Sequence, residues 1–172
     1  MKIAVIGAAT NCQEDILIKS FELGKEIAKR KIDLLVGGCR GYPHEAAKGA
    51  SKEGGKVLAY SPGKDEKEHT ERYNFPLDGF TSICYTGLGV PRRNYPLVSE
   101  ADAVIMIGGQ IGSLNEFTIA HHFQKKIGIL TGSGGITNLI EKIVEVCEKD
   151  NESKKIVYND DFSKLLDSIE NL

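Results

Sequence analysis

The 172-residue sequence lacks long apolar runs and lacks blocks of basic residues. A membrane-spanning helix needs roughly 18 consecutive apolar residues, and the N-terminus leads straight into an apolar segment without the charged-then-apolar pattern of a signal peptide. The formal net charge is −2, with both signs interspersed, which gives a nucleic-acid backbone no basic face to bind. We therefore expect a cytoplasmic protein with no membrane and no nucleic-acid partner.

Several signatures of metal and nucleotide sites are also missing. The four cysteines include no C-x-x-C pair, so zinc and dithiol chemistry are not indicated. His121 and His122 are adjacent, so on a helix they would point to different faces and could not ligate one metal ion. Neither G-x-x-x-x-G-K-[ST] nor G-x-G-x-x-G occurs after a predicted strand, which disfavours a P-loop NTPase and a nicotinamide dehydrogenase. We expect no metal and no required cofactor.

Glycine is the residue present in excess, with 19 copies against a usual share of roughly 7%. With five prolines and no low-complexity tract, these glycines should lie at turns and at close backbone approaches. Four clusters follow predicted strands: Gly7, Gly37-Gly38, Gly108-Gly109 and Gly132 to Gly135.

The apolar pattern alternates between strands and helices. The predicted strands are 2–7, 33–38, 56–60, 81–85, 102–107, 127–130 and about 156–158. The predicted helices are 14–31, 43–53, 92–100, 113–123, about 137–149 and about 162–169. Segment 62–79 lacks apolar periodicity and is predicted to be a surface loop. Because nearly all-apolar strands are each followed by a helix, the pattern predicts an α/β fold: a doubly wound, mainly parallel sheet of about seven strands in a Rossmann-like three-layer α/β/α domain spanning 1–172.

In such sheets, ligands bind beyond the carboxyl ends of the strands. The turn Gly108-Gly109-Gln110-Ile111-Gly112-Ser113 lies between a strand and a helix, where free N–H groups and the helix dipole attract an anion such as phosphate. A capping box is the alternative, in which Ser113 caps the helix and Glu116 reaches back to the N–H of Ser113. This window alone supports both interpretations equally.

Arg92, Arg93 and Asn94 begin the predicted helix before the fifth strand. Two guanidinium groups there would face the same crevice as the Gly108 turn, and their planar fork suits phosphate or carboxylate. An exposed arginine pair is usually a solvated surface, but the position at a strand-end loop favours a ligand role.

Arg93-Asn94, Asp102-Ala103 and Gly108-Gly109-x-x-Gly112-Ser113-x-x-Glu116 together resemble the hallmark of the lonely-guy (LOG) family, often labelled "possible lysine decarboxylase". That hallmark is an arginine, a strand beginning with Asp-Ala, and then P-G-G-x-G-T-x-x-E. The resemblance extends to Gly37-Gly38 with Gly41 and covers roughly residues 1–150. Uncharacterised glycine-rich Rossmann-like members of the superfamily and molybdenum-cofactor carriers resemble the sequence more closely still.

The resemblance implies hydrolysis of the N-glycosidic bond of a nucleoside 5′-monophosphate, giving free base and ribose 5-phosphate, and not lysine decarboxylation. It implies that Arg93 and Glu116 form the catalytic pair, since a carboxylate can stabilise the oxocarbenium-like sugar and orient water. Strand-end position and resemblance together nominate these residues for the phosphate or nucleotide: Gly7, Gly37, Gly38, Gly41, Arg92, Asn94, Gly108, Gly109, Gly112 and Ser113. The alternative is a non-catalytic nucleotide sensor or molybdenum-cofactor carrier.

The sequence also departs from the family pattern. Ile107 and Ser113 stand where the family has proline and threonine, and Asn94 replaces a usual basic residue. Gln110-Ile111 takes the place of one family residue, and one added residue rotates later helical side chains by about 100°, so the position of Glu116 depends on where its helix begins. Phosphate binding is therefore predicted more directly than catalysis.

Apolar residues on the helices beside the fifth strand exceed what one sheet face needs: Phe117, Ile119 and Phe123. We therefore expect a homodimer or a higher homo-oligomer.

Overall fold

A computed structural model describes residues 1–147 and 155–172. Its seven strands are β1 Lys2–Gly7, β2 Asp33–Val36, β3 Val57–Ser61, β4 Ser82–Tyr85, β5 Ala103–Ile107, β6 Lys126–Leu130 and β7 Ile156–Asn159. Its α-helices are α1 Glu14–Lys29, α2 Tyr42–Lys52, α3 Gly89–Glu100, α4 Ile111–His122, α5 Ile140–Cys147 and α6 Phe162–Asn171. A π-helical turn covers Glu68–Arg72 and a 3-10 turn covers Gly135–Leu139.

All seven strands pair in parallel in one sheet of order β4-β3-β2-β1-β5-β6-β7. Successive side chains of a strand point to opposite faces. In β1, Ile3 and Val5 therefore pack with residues of α1, α2 and α6, whereas Ala4 and Ile6 pack with residues of α3, α4 and α5. The sheet is thus buried between two helical layers, and the predicted doubly wound Rossmann-like α/β fold is confirmed.

The direction of winding reverses beside β1. The chain proceeds outwards from β1 through β2 and β3 to β4, then returns to place β5 on the other side of β1. Gly7 at the end of β1 pairs with Ile107 at the end of β5, and the Ala8 N–H donates to the Ile107 carbonyl at 3.2 Å. In doubly wound sheets a ligand crevice forms at such a reversal, beyond the carboxyl ends of the two strands.

Helix boundaries differ from the predicted ones at several ends. Helix α1 ends at Lys29, before the predicted position 31. Helices α3 and α4 begin three and two residues earlier than predicted, at Gly89 and Ile111. The segment from Thr137 starts in a 3-10 turn before α5, and the predicted end of that helix at 149 lies outside the described residues. Glycine in a first turn weakens the periodic signal, which explains the late predicted starts.

Segment 62–79 is not the simple surface loop that its polarity predicts. Its π-helical turn carries His69, which is completely buried. The His69 Nε2–H donates to the Pro76 carbonyl at 2.8 Å, and Nδ1 lies 2.8 Å from Ser61 Oγ. A single buried histidine among charged neighbours leaves no apolar period, so the prediction is wrong for this turn.

None of the helices within 1–147 and 155–172 combines the length and the apolar character that crossing a membrane requires.

Candidate functional site

A crevice lies at the junction of β1 and β5 and has three sections that share lining residues. The middle section is lined by Gly7, Ala8, Ala9, Thr10, Gln110, Gly112 and Ser113. What we call the Arg93 section adds Cys39, Phe75, Val90, Arg93, Asn94 and Glu116 to Gly7, Ala9, Gly112 and Ser113. What we call the Gly134 section is lined by Ala8, Thr10, Asn11, Gln13, Tyr42, Gly108, Gly109, Gln110, Ser133, Gly134 and Gly135.

The Gly108-Gly109 turn depends on left-handed backbone conformations. Gly108 has φ 55° and Gly109 has φ 101°, and a Cβ on Gly109 would lie 2.5 Å from Ser113 Oγ. The neighbouring glycine loop holds the turn in place, because the Gly108 N–H donates to Ser133 Oγ at 2.8 Å and the Ile136 N–H donates to the Gly109 carbonyl at 2.9 Å. The backbone at the mouth of the crevice is therefore fixed before any ligand binds.

Helix α4 begins directly after this turn. Gln110 is its N-cap, with the Leu114 N–H donating to the Gln110 carbonyl at 2.9 Å. Ser113 is consequently the third helical residue and not the cap, so the capping-box interpretation is wrong. The N–H groups of Ile111, Gly112 and Ser113 precede the first intrahelical bond and, with the positive end of the dipole, offer an anion site.

Gly112 keeps space open above the start of α4. No heavy atom lies within 4 Å of the position that a Cβ on Gly112 would take, and the residue lines two sections of the crevice. Glycine in a helix costs roughly 0.5–1 kcal/mol of stability relative to alanine. Because a Cβ at this position would meet no neighbour, packing does not explain why a glycine is there. The absence of a side chain instead leaves the N–H groups accessible to a ligand.

A buried ion pair forms the wall of the Arg93 section. Arg93 Nη1 lies 3.2 Å from Glu116 Oε1, and the two residues are only 4% and 7% exposed. With its Nδ2 turned towards Glu116, Asn94 donates to Glu116 Oε1 and to the Val90 carbonyl, each at 3.2 Å. Gly37 makes room for this arrangement, because a Cβ there would collide with the Arg93 guanidinium.

Burial dominates the electrostatics of this pair. Desolvation raises the pKa of the Glu116 carboxyl to about 7, while Arg93 acts in the opposite direction. Arg93 Nε is buried and has no hydrogen-bond partner among the described residues, and an unused buried donor of this kind marks a position under functional or structural constraint. The site therefore holds a carboxyl that exchanges its proton near neutral pH beside a fixed cation.

Glu116 lines the crevice in spite of the extra residue at Gln110-Ile111. Because the helix begins at Ile111, Ser113 and Glu116 lie three residues apart on one helical face, and both line the Arg93 section. Gln110 is extended and Ile111 is the first residue of the helix. Arg93 and Glu116 thus converge on one crevice.

The other nominated residues have different surroundings. Arg92 is exposed and its Nε donates to the Leu88 carbonyl at 3.3 Å, so the expectation that both guanidinium groups face the crevice is correct for Arg93 only. Gly38, with φ 70°, lies against the His69 ring, and Gly41, with φ 81°, lies against the Ala8 carbonyl. Packing accounts for both glycines, and their ligand-binding role stays a prediction.

Sequence reasoning missed Phe75, which stands in a polar segment, and did not single out Thr10, Tyr42 or Ser133 as lining residues. The glycine cluster around Ser133 was the available signal for that part of the crevice. Cys39 also lines the Arg93 section, and burial raises the pKa of its thiol to about 11, which keeps it protonated at neutral pH. In the part of the chain that the structure describes, no three His, Cys, Asp or Glu residues are grouped to hold a metal ion.

The sheet order and the crevice together define a Rossmann-like protein in which helix α4 begins, with free N–H groups, at the winding reversal. The sequence matches the SLOG cluster4 family over residues 1–166, and the chain belongs to that family. The resemblance to the LOG superfamily inferred from the Arg93-to-Glu116 pattern is thereby confirmed. An uncharacterized protein from Archaeoglobus fulgidus is 33% identical over 131 residues, covering 76% of this chain and 80% of that protein.

Solved structures share the fold. TM1055, a structural-genomics target, superposes with a TM-score of 0.86 at 24% identity and 99% coverage of both chains. The molybdenum cofactor binding protein from Rippkaea orientalis has a TM-score of 0.82 at 24% identity, covering 99% of this chain and 95% of that one. The DNA processing protein A from Helicobacter pylori, described with a single-stranded DNA binding mode, has a TM-score of 0.67 at 19% identity, covering 99% and 80%. At these identities the likeness shows the fold.

Proposed function

We propose that the chain binds a nucleoside 5′-monophosphate in this crevice and hydrolyses its N-glycosidic bond. The observation that carries the proposal is the convergence of the buried Arg93 and Glu116 on the same crevice section as the start of α4. Gly112 and Ser113 belong to both the middle and the Arg93 sections. A phosphate bound by their N–H groups would therefore have its sugar beside the carboxyl.

The reaction breaks the bond between the sugar C1′ and the base nitrogen and forms a bond between C1′ and a water oxygen. The base leaves with the electron pair and gains a proton from solvent, while the ionised Glu116 takes a proton from the attacking water. Positive charge that develops on the sugar ring is stabilised by the same carboxylate. Arg93 holds Glu116 in place at 3.2 Å.

The electrostatics favour a small ligand over a polymer. Among the crevice-lining residues in the described chain, Arg93 is the one permanent cation, and Glu116 pairs with it. Phosphate recognition would thus come from backbone N–H groups, which bind one phosphate group at close range. A nucleic-acid strand needs a run of cations along its backbone, so we propose a phosphorylated small molecule as the partner.

A second candidate function is binding without turnover, as a nucleotide sensor or a carrier of a larger phosphorylated cofactor. The length of the crevice favours it, because the Gly134 section, of about 230 Å³, continues past the anion site. The solved molybdenum cofactor binding protein shares the fold, although this chain resembles it at 24% identity only.

Incubation of the purified protein with AMP, GMP, CMP and UMP, followed by quantification of free base and ribose 5-phosphate, tests the proposal. We expect release of both products in equal amounts from at least one nucleotide, and we expect Glu116→Gln to abolish release. Glu141→Gln, at an exposed position of α5, is the matched control and should retain full turnover. Binding without product release would support the carrier function and contradict hydrolysis.

A further inference from the structure

Phe75 is an aromatic residue at the crevice wall that the proposed chemistry leaves without a role. It lies in segment 62–79 and is half-buried. Among the described residues that line the Arg93 section, it is the one aromatic residue. Val90 provides a second apolar surface there, and Arg93, Asn94 and Glu116 provide the polar groups. The section therefore combines an aromatic ring and an aliphatic side chain with hydrogen-bonding groups.

The ring is fixed in place by its own segment. The Phe75 N–H donates to the His69 carbonyl at 3.0 Å, and the two rings meet edge to face with centroids 5.5 Å apart. The Tyr73 ring packs against the Phe75 ring in a tilted arrangement, with centroids 5.7 Å apart. Asn74, at φ 52°, turns the chain, and its carbonyl accepts from Arg40 Nε at 3.2 Å. Because His69 is completely buried, these contacts link Phe75 to the core.

We propose that Phe75 is the base-binding wall of the site and stacks on the planar heterocycle of the ligand. The inference rests on the proposed function, which sets the phosphate at Gly112 and Ser113 and the sugar beside Glu116. From there the next part of a nucleotide is its base, and Phe75 and Val90 line the same Arg93 section as Glu116. Stacking tolerates different bases because every base has a π face, so this wall selects a planar ring without choosing among the bases.

Binding measurements with two probes test the role of Phe75. Formycin 5′-monophosphate carries base, sugar and phosphate, and its carbon–carbon glycosidic bond resists hydrolysis, whereas ribose 5-phosphate lacks the base. We expect Phe75→Ala to weaken binding of formycin 5′-monophosphate by about tenfold or more and to leave binding of ribose 5-phosphate unchanged. Leu77→Ala, an exposed residue of the same segment, is the control and should change neither affinity.

A spectroscopic variant gives a second measurement that does not depend on removing the ring. The chain contains no tryptophan, so Phe75→Trp introduces a single indole at the wall. Formycin 5′-monophosphate should quench its fluorescence to saturation, and ribose 5-phosphate should not. Ile18→Trp, at an exposed position of α1, is the control and should respond to neither probe.

These measurements distinguish failure of the role inferred for Phe75 from failure of the proposed function. If the wild type binds formycin 5′-monophosphate and Phe75→Ala binds it equally well, or loses both probes to the same extent, Phe75 is not the base-binding wall and the proposed function stands. If the wild type binds neither probe, this inference is overturned, and if it also releases base from none of the four nucleotides, the proposed function is overturned with it. Selective loss of the base-containing probe supports both.

Discussion

At the scale of single residues, the proposed chemistry depends on Glu116. The residue is 7% exposed, and burial raises the pKa of its carboxyl to about 7 in spite of the Arg93 guanidinium 3.2 Å away. A carboxyl that ionises near neutral pH can act as a base at physiological pH and still accept a proton readily. The same shift makes folding stability depend on pH.

The sign of that dependence follows from proton linkage. The ordinary pKa of 4.5 applies to Glu116 in the unfolded chain, so the folded state binds the proton more tightly. Its contribution is fully present below about pH 4.5 and is lost as the pH rises through about 7. We expect the free energy of unfolding of the wild type to fall, relative to Glu116→Gln, by on the order of 3 kcal/mol across this range, measured by urea denaturation. An equal difference at pH 4.5 and pH 8 would contradict the shift.

Substitution by alanine should change the stability of the fold in opposite directions at two glycines between Gly108 and Ser113. A Cβ on Gly112 enters open space, and alanine favours the helix, so we expect Gly112→Ala to stabilise the fold by roughly 0.5–1 kcal/mol while it weakens nucleotide binding at least tenfold. Gly109→Ala meets Ser113 at 2.5 Å with φ 101° and should destabilise the fold. Thermal unfolding and calorimetric titration check both. Unchanged nucleotide affinity in Gly112→Ala would contradict the anion role of α4.

Arg93 and Glu116 could be nominated from the sequence because the Arg93-to-Asp102 and Gly112-to-Glu116 spacings resemble the family pattern, although one residue is added after Gly109. That Arg92 lies outside the site could not be predicted. Neighbouring helical positions differ by about 100° in direction, and only the packing of α3 decides which of the two arginines is buried. The role of Ser113 was ambiguous for a similar reason. Cap and third helical residue differ only in where the first hydrogen bond forms.

At the scale of elements, apolar periodicity predicted every strand and α-helix among the described residues, with ends displaced by a few positions. Segment 62–79 was the exception, because its fixed structure depends on one buried histidine instead of an apolar face. His69 satisfies both ring nitrogens inside the protein, with Ser61 and Pro76. Hydrogen bonding of this kind has no period that a sequence window can detect.

We expect His69→Ala to loosen segment 62–79 selectively. The substitution removes a completely buried ring and leaves the Pro76 carbonyl without its donor, which costs roughly 1–3 kcal/mol for the unpaired group alone. Faster amide hydrogen exchange across 62–79 is the expected readout, with weaker nucleotide binding because Phe75 loses its support. His122→Ala, at an exposed position of α4, should leave the exchange unchanged. Unchanged exchange in both variants would exclude His69 as the anchor.

At the scale of the whole molecule, the winding reversal between β1 and β5 brings together residues from distant parts of the chain. Gly7, Phe75, Arg93 and Ser113 meet because the strands that precede them end at one edge of the sheet. The location of the site could therefore be predicted from strand order, whereas its depth and its apolar wall needed the packed structure.

Oligomerisation stays a prediction, and of the three apolar residues on which it was based, one is exposed in the structure. Phe117 is buried in the core and Ile119 packs against it, which leaves Phe123, 43% exposed and in edge contact with exposed Tyr95. We expect the wild type to sediment as a dimer and Phe123→Asp to weaken association at least tenfold by loss of a buried aromatic contact. Ile18→Asp, an exposed apolar residue on α1, is the control. A monomeric wild type throughout the micromolar range would contradict the prediction.

A crystal structure of the protein with formycin 5′-monophosphate would show whether the start of α4 binds the phosphate and Phe75 the base. We expect phosphate oxygens within hydrogen-bonding distance of the Gly112 and Ser113 N–H groups, the sugar C1′ beside Glu116, and the base against Phe75. A phosphate bound away from the start of α4, with the N–H groups of Gly112 and Ser113 left to solvent, would contradict it.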